Sequence, residues 1–67
     1  MTSKQAEQYW LTEVEVHYLN KGDDPCLQVG MITAVGEHYI LFHPYDGEER
    51  PLKLDIINKI KPIHDQH

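Results

Sequence analysis

Residues 26–43 read CLQVGMITAVGEHYILFH, and this stretch decides the fold. Its first part, residues 26–35, is apolar on both faces, and its last part, residues 38–43, is dense in strand-forming residues. Gly36 and Glu37 separate the two parts with a tight turn. Gly30 stands in the middle of the first run, where a strand interior normally avoids glycine. The stretch therefore predicts two consecutive strands, the first of them bulged or bent at Gly30.

The segment before this stretch predicts another strand and a chain reversal. Val14, Val16 and Tyr18 alternate with polar residues from Thr12 onward, which is typical of a half-buried strand. Residues 20–25 read NKGDDP and combine nearly every residue type that favours turns. The chain is therefore expected to reverse between the two strands.

The N-terminal residues predict a short helix. Thr2 and Gln5 have the spacing of a capping box, and Ala6, Tyr9 and Trp10 recur on one helical face. We expect a helix over residues 3–11. A helix of this length does not persist alone in water, so it must dock on the rest of the chain or on another subunit.

The C-terminal third predicts a hairpin and two further strands. Asp46-Gly47 is the strongest hairpin signal, because this dipeptide readily adopts the positive φ angles of a two-residue turn. Leu52, Leu54 and Ile56 alternate with polar residues, which predicts a strand over residues 50–56. A fifth strand is expected near residues 58–63, and residues 64–67 form a frayed tail.

Together these elements predict one mostly-β domain covering residues 1–67. A short N-terminal α-helix over residues 3–11 precedes a small five-stranded barrel over residues 12–63. A small barrel is favoured because closure removes exposed sheet edges, and because a two-sheet sandwich needs more strands than 67 residues supply.

Three stretches of the chain resemble Sm-like proteins. VEVHYLNKG (14–22), LQVGMITAVGEHYILF (27–42) and KLDIINKIKP (53–62) are similar to bacterial Sm-like RNA chaperones of the Hfq type. The same region is similar to YolD-like proteins and to the WYL domain. The resemblance implies a five-stranded SH3-like or Sm-like barrel. It would also imply a Lys-His pair for RNA contact, but the aligned positions here are Leu54 and Asp55.

Composition limits the choice of partners and compartment. Eleven acidic residues against six Lys and Arg give a net charge of -5, which disfavours tight non-specific contact with a phosphate backbone. Cys26 is the only cysteine and cannot form an intrachain disulfide, which favours a reducing cytoplasm. The sequence has neither a signal-peptide pattern nor an apolar run long enough to span a membrane.

Candidate chemistry is sparse. The five histidines lack the close spacing of four ligands that a structural zinc site needs, Cys26 has no evident base, and the acidic pairs lack a pocket. We therefore expect no metal, no cofactor, no small-molecule substrate and no enzymatic activity. The histidines are His17, His38, His43, His64 and His67.

Two functions stay open. The first is a cytoplasmic interaction or regulatory module that binds a protein partner or assembles with itself as a homo-oligomer. The alternative is an Sm-like RNA-binding protein that stacks bases of single-stranded RNA on an aromatic beside basic side chains. The candidate residues for contact with a partner or RNA are Tyr39, Arg50, Lys53, Lys59 and Lys61.

Overall fold

The computed structural model describes residues 1–63, so the predicted tail at 64–67 lies outside the described residues. The helix α1 (Ser3–Glu7) is followed by five strands and two short 3-10 turns, Lys21–Asp23 and Leu54–Ile56. The strands are β1 (Glu13–Leu19), β2 (Pro25–Val35), β3 (Tyr39–Pro44), β4 (Arg50–Lys53) and β5 (Ile57–Pro62).

All five strands belong to one antiparallel sheet in the order β4-β3-β2-β1-β5. The predicted mostly-β domain with a short N-terminal helix is therefore confirmed. Within residues 1–63, β4 and β5 are the two ends of this order and do not pair with each other. The sheet is thus not closed by a hydrogen-bonded ladder.

One face of the sheet carries the core, as the period-two pattern predicts. Val14, Val16 and Tyr18 on β1 are buried, and their alternating neighbours are only half-buried. We call this buried side the inner face and the opposite side the outer face. Among residues 1–63, the hydrophobic residues buried in the core are Ala6, Val14, Val16, Tyr18, Ile32, Ile40, Phe42, Leu52, Leu54, Ile57 and Ile60.

The helix is shorter than the predicted range of residues 3–11. Its capping box is present, with Thr2 Oγ1 accepting from the Gln5 amide and Gln5 Oε1 accepting from the Thr2 amide. The helix ends at Glu7 because the chain beyond it bonds to β2: the Leu11 amide donates to the Ile32 carbonyl at 2.7 Å. This bond holds Leu11 at a φ of 57°, outside the helical region. Among the described residues, no helix is long and apolar enough to cross a membrane.

The predicted bulge does not lie at Gly30, and a glycine is required at this position for another reason. The register between β2 and β3 shifts at Thr33, between Ile32 and Ala34, whereas Gly30 pairs regularly with Val14 and Pro44. A Cβ atom on Gly30 would lie 2.2 Å from the His43 carbonyl oxygen. The glycine therefore allows two backbones to approach closely.

The hairpin at Asp46-Gly47 also departs from its prediction. Neither residue has a positive φ, and the connection between β3 and β4 is the five residues 45–49. The Tyr45 amide donates to the Val29 carbonyl, so the chain follows β2 beyond the end of β3 before it turns. The two-residue turn predicted from Asp-Gly is therefore wrong.

Strand β4 is shorter than the predicted range of residues 50–56. It ends at Lys53, and Leu54–Ile56 form a 3-10 turn whose Leu54 amide donates to the His38 carbonyl. This turn is the only connection between β4 and β5, which lie at opposite ends of the strand order. The chain must leave the strand conformation here to pass from one edge to the other.

Candidate functional site: sheet edges and an outer-face groove

A groove crosses the outer face of β3 and β4. Tyr39 is the cross-strand partner of Lys53, and Leu41 is the partner of Pro51. Their strand neighbours Ile40 and Leu52 are buried, so these four side chains lie on the outer face. The groove has a volume of about 760 Å³ and is lined by His38, Tyr39, Leu41, Pro51, Lys53 and Asp55.

The groove combines an apolar floor with polar groups at its rim. Leu41 and Pro51 supply aliphatic surface, and the Tyr39 ring is 46% exposed. Lys53 is the cross-strand partner of Tyr39 and lines the same groove. Such a surface can accept an apolar side chain from a protein, or stack a nucleic-acid base next to a phosphate-binding cation.

Arg50 does not belong to this surface. It pairs with buried Phe42 and lies on the inner face, where its Nη2 donates to Tyr18 Oη at 2.5 Å and to Gln28 Oε1 at 2.6 Å. Tyr18 Oη in turn donates to Gln28 Oε1 at 3.1 Å, and the Arg50 guanidinium lies over the Tyr18 ring. Arg50 therefore ties the start of β4 to β1 and β2, while the residue itself stays exposed.

The remaining basic candidates lie elsewhere. Lys59 and Lys61 are on β5, where their cross-strand partners are His17 and Glu15. Lys53 is on β4, at the other end of the strand order. Within one copy of the chain, the predicted basic strip is thus divided among two strands and two faces. The structure brings Tyr39 and Lys53 together across β3 and β4, and it places Lys59 and Lys61 on one side of β5.

The outer edge of β4 has unpaired backbone groups. The Leu54 amide donates to the carbonyl of His38, the residue before β3, while the Tyr39 carbonyl accepts from the Gly36 amide on the side away from β4. Backbone groups alternate in direction along a strand, so those of Pro51 and Lys53 face outward. Pro51 has no N–H, which leaves the Lys53 amide as the donor on this edge.

The outer edge of β5 resembles that of β4, because it also combines outward-facing backbone groups with a proline. The Ile63 amide donates to the Glu13 carbonyl, so by the same alternation Lys59 and Lys61 face β1. The backbone groups of Ile60 and Pro62 then face outward. Here too a proline removes one of the donors. Proline on an edge strand is a common way to limit uncontrolled pairing.

Trp10 and Leu11 form a second exposed feature, which the sequence pattern did not reveal because it assigned both residues to the helix. Trp10 is 57% exposed and its indole N–H donates to the Thr33 carbonyl at 3.2 Å. Leu11 is 56% exposed, at a φ of 57°. We call Trp10 and Leu11 the N-terminal knob. A left-handed conformation is rare for leucine, and no local sequence signal predicts it.

The titratable side chains of the described residues are the candidate ligands for a metal ion. Residues 1–63 contain no group of three or more His, Cys, Asp or Glu side chains placed to hold a metal ion. His17 Nε2 lies 3.0 Å from Glu15 Oε1 on β1, and Cys26 is half-buried. His64 and His67 lie outside the described residues.

Tyr45 links the β3–β4 connection to β1. A hydrogen bond with the Glu13 carboxylate, supported by desolvation and by the charge of Glu13, raises the pKa of the Tyr45 phenol above its usual value. Since the ordinary tyrosine pKa is already about 10, the phenol stays protonated at neutral pH. Tyr45 therefore acts as a hydrogen-bonding group and supplies no charge to the surface.

Comparisons with protein-family models, with curated proteins and with solved structures found no match.

Proposed function

We propose that this chain is a non-enzymatic interaction module that assembles with copies of itself through the free edges of β4 and β5. One observation carries the proposal: within residues 1–63, the strand order leaves both ends of a single sheet without a neighbouring strand. The two edges belong to different strands, so pairing between them is head-to-tail and leads to a ring or a chain of copies. The Sm-like or SH3-like barrel inferred from the resemblance is part of this proposal, as is a cytoplasmic location inferred from the lone Cys26.

The edge prolines support an ordered assembly. Long, flat edges with every donor available tend to aggregate, whereas Pro51 and Pro62 leave each edge few donors. The backbone pairing that remains is short and selective. Outer-edge pairing also joins the groove side of one copy to the β5 side of the next, where Lys59 and Lys61 lie.

Lys53→Pro tests the edge directly. Lys53 has φ −68° and ψ 138°, which is the conformation of proline, so the substitution removes the outward N–H without straining β4. We expect the association constant to fall by about tenfold or more, because one intermolecular hydrogen bond is lost and its acceptor stays unpaired. Size-exclusion chromatography with light scattering across a concentration series measures this change.

Lys53→Ala is the matched control, because it removes the same side chain and keeps the backbone donor. It should assemble like the original chain. A monomeric mass for the original chain at every concentration would refute self-assembly, and equal loss in both variants would assign the effect to the side chain instead of the edge.

Binding of single-stranded RNA is the second candidate, favoured by the pairing of exposed Tyr39 with Lys53 in the groove. If bases stack on this ring, Tyr39→Ala should weaken binding of a short single-stranded RNA by about tenfold, corresponding to about 1–3 kcal/mol per stacked base. Fluorescence anisotropy at two salt concentrations measures the affinity. Tyr45→Phe, which changes another exposed ring away from the groove, should have no effect, and absence of binding at low salt would end this candidate.

A further inference from the structure

The short edges cannot by themselves supply a stable contact between copies. A specific interface buries about 800 Å² per partner, which is about a sixth of the 4638 Å² of accessible surface of this chain. Strand β4 has only four residues, and one of its two outward-facing residues is a proline. Side chains must therefore provide most of the buried area in any assembly built on these edges.

The N-terminal knob is the most conspicuous apolar feature available for that purpose. Leu11 holds a left-handed backbone conformation that is unfavourable for a residue with a Cβ, and it exposes its side chain at the same time. Strain of this kind persists where the surrounding structure enforces it, and it is often associated with function. Here the Leu11 amide and the Trp10 indole N–H both bond to β2, which holds the knob in one position.

The position of the knob relates it to the β5 edge. Glu13 begins β1 two residues after Leu11, and the Glu13 carbonyl accepts from Ile63, directly after β5. The groove lies on β3 and β4, next to the other edge. A head-to-tail contact that brings β5 of one copy to β4 of the next would therefore also bring the end of β1 that carries the knob toward the strand pair that carries the groove.

The chemistry of the two surfaces also matches. The groove has an apolar floor at Leu41 and Pro51 that suits a leucine or an indole, and Lys53 and Asp55 also line it. On the knob side, Glu7 lies beside Trp10 around a hollow. Because the groove carries one charge of each sign, apolar contact supplies the match between knob and groove.

We propose that the N-terminal knob of one copy inserts into the groove formed by Tyr39, Leu41 and Pro51 of a second copy. This inference rests on the proposed self-assembly and names the side chains that stabilise it. Leu11 is the anchor, because the left-handed conformation projects it from the surface, and Trp10 flanks it. The occupant of the groove is thus another copy of this chain.

Leu11→Asn separates binding from folding. Asparagine tolerates the left-handed conformation better than leucine, so the monomer should keep its thermal stability or gain slightly. The association constant should fall by about tenfold or more, the usual effect of truncating an anchor residue. Leu27→Asn is the control, since Leu27 is a leucine of similar exposure, 52%, on the outer face of β2.

Disulfide trapping then tests the location of the contact. In a Cys26→Ala background, a mixture of Leu11→Cys and Leu41→Cys chains should form a covalent heterodimer under mild oxidation, and Leu27→Cys with Leu41→Cys should not. If Lys53→Pro weakens assembly while Leu11→Asn does not, the edge proposal stands and the knob proposal is overturned. If the original chain is monomeric, both fail.

Discussion

Gly30→Ala is expected to unfold the domain. The added Cβ would lie 2.2 Å from the His43 carbonyl oxygen, 2.6 Å from Pro44 Cα and 2.9 Å from the His43 carbonyl carbon. All three are backbone atoms of β3, so no side-chain rotation relieves the overlap. We expect a loss of about 3 kcal/mol or more, at the upper end of overpacking effects. Because a domain of this size has only about 3–5 kcal/mol of stability, this loss removes most or all of it, and unfolded molecules become readily detectable at 25 °C.

Far-ultraviolet circular dichroism and urea denaturation measure this effect. Gly47→Ala is the matched control, because its Cβ would meet only Pro44 Cγ at 3.3 Å and its φ is not positive. That variant should stay within about 0.5 kcal/mol of the original chain, as most surface substitutions do. A folded Gly30→Ala protein with unchanged urea midpoint would show that β2 and β3 are not as close as described.

Phe42→Ala has the second large effect. Phe42 is fully buried on β3 between Ile32 and Arg50, its cross-strand partners on β2 and β4. Removing a buried phenylalanine ring typically costs about 3–5 kcal/mol, since the transfer free energy is lost and a cavity remains. In a core of eleven residues, there is little surrounding structure that could fill the cavity. The variant should be largely unfolded without denaturant.

Tyr39→Ala on the same strand is the control for this prediction. Its ring is on the outer face, so we expect a change below about 0.5 kcal/mol. Both variants should be compared by urea denaturation at one fixed protein concentration, because self-assembly shifts apparent stability. Similar losses for the two substitutions would contradict the assignment of inner and outer faces.

The strands themselves were predictable because alternation of apolar residues reports which side of a strand is buried. Val14, Val16 and Tyr18 on β1 were expected to be buried, and all three are. Leu52, Leu54 and Ile56 were expected to be buried together; Leu52 and Leu54 are, whereas Ile56 is only partly buried because the chain forms a 3-10 turn there. The capping box of Thr2 and Gln5 was equally readable, since it depends on residues three apart. Each of these predictions rests on interactions within one element.

The candidate site was only partly predictable. Tyr39 and Lys53 were chosen for their chemistry, and the β3–β4 register makes them neighbours. Arg50 was chosen for the same chemistry. Because successive residues of a strand point to opposite faces, its side chain lies on the inner face, where it donates to Tyr18 and Gln28. The neighbours of a basic side chain depend on how its strand pairs with strands far along the chain. Composition does not contain that information.

By itself, the sequence determined that this chain is a mostly-β domain with five strands and a short capped helix, because hydrophobic period and capping are local properties. Only the tertiary structure decided that the helix stops at Glu7, that Gly30 serves a close approach, and that β4 and β5 keep free edges. Each of these depends on pairing with residues far along the chain. The Leu11 amide meets the Ile32 carbonyl, and this one bond between distant residues both ends the helix and projects the knob.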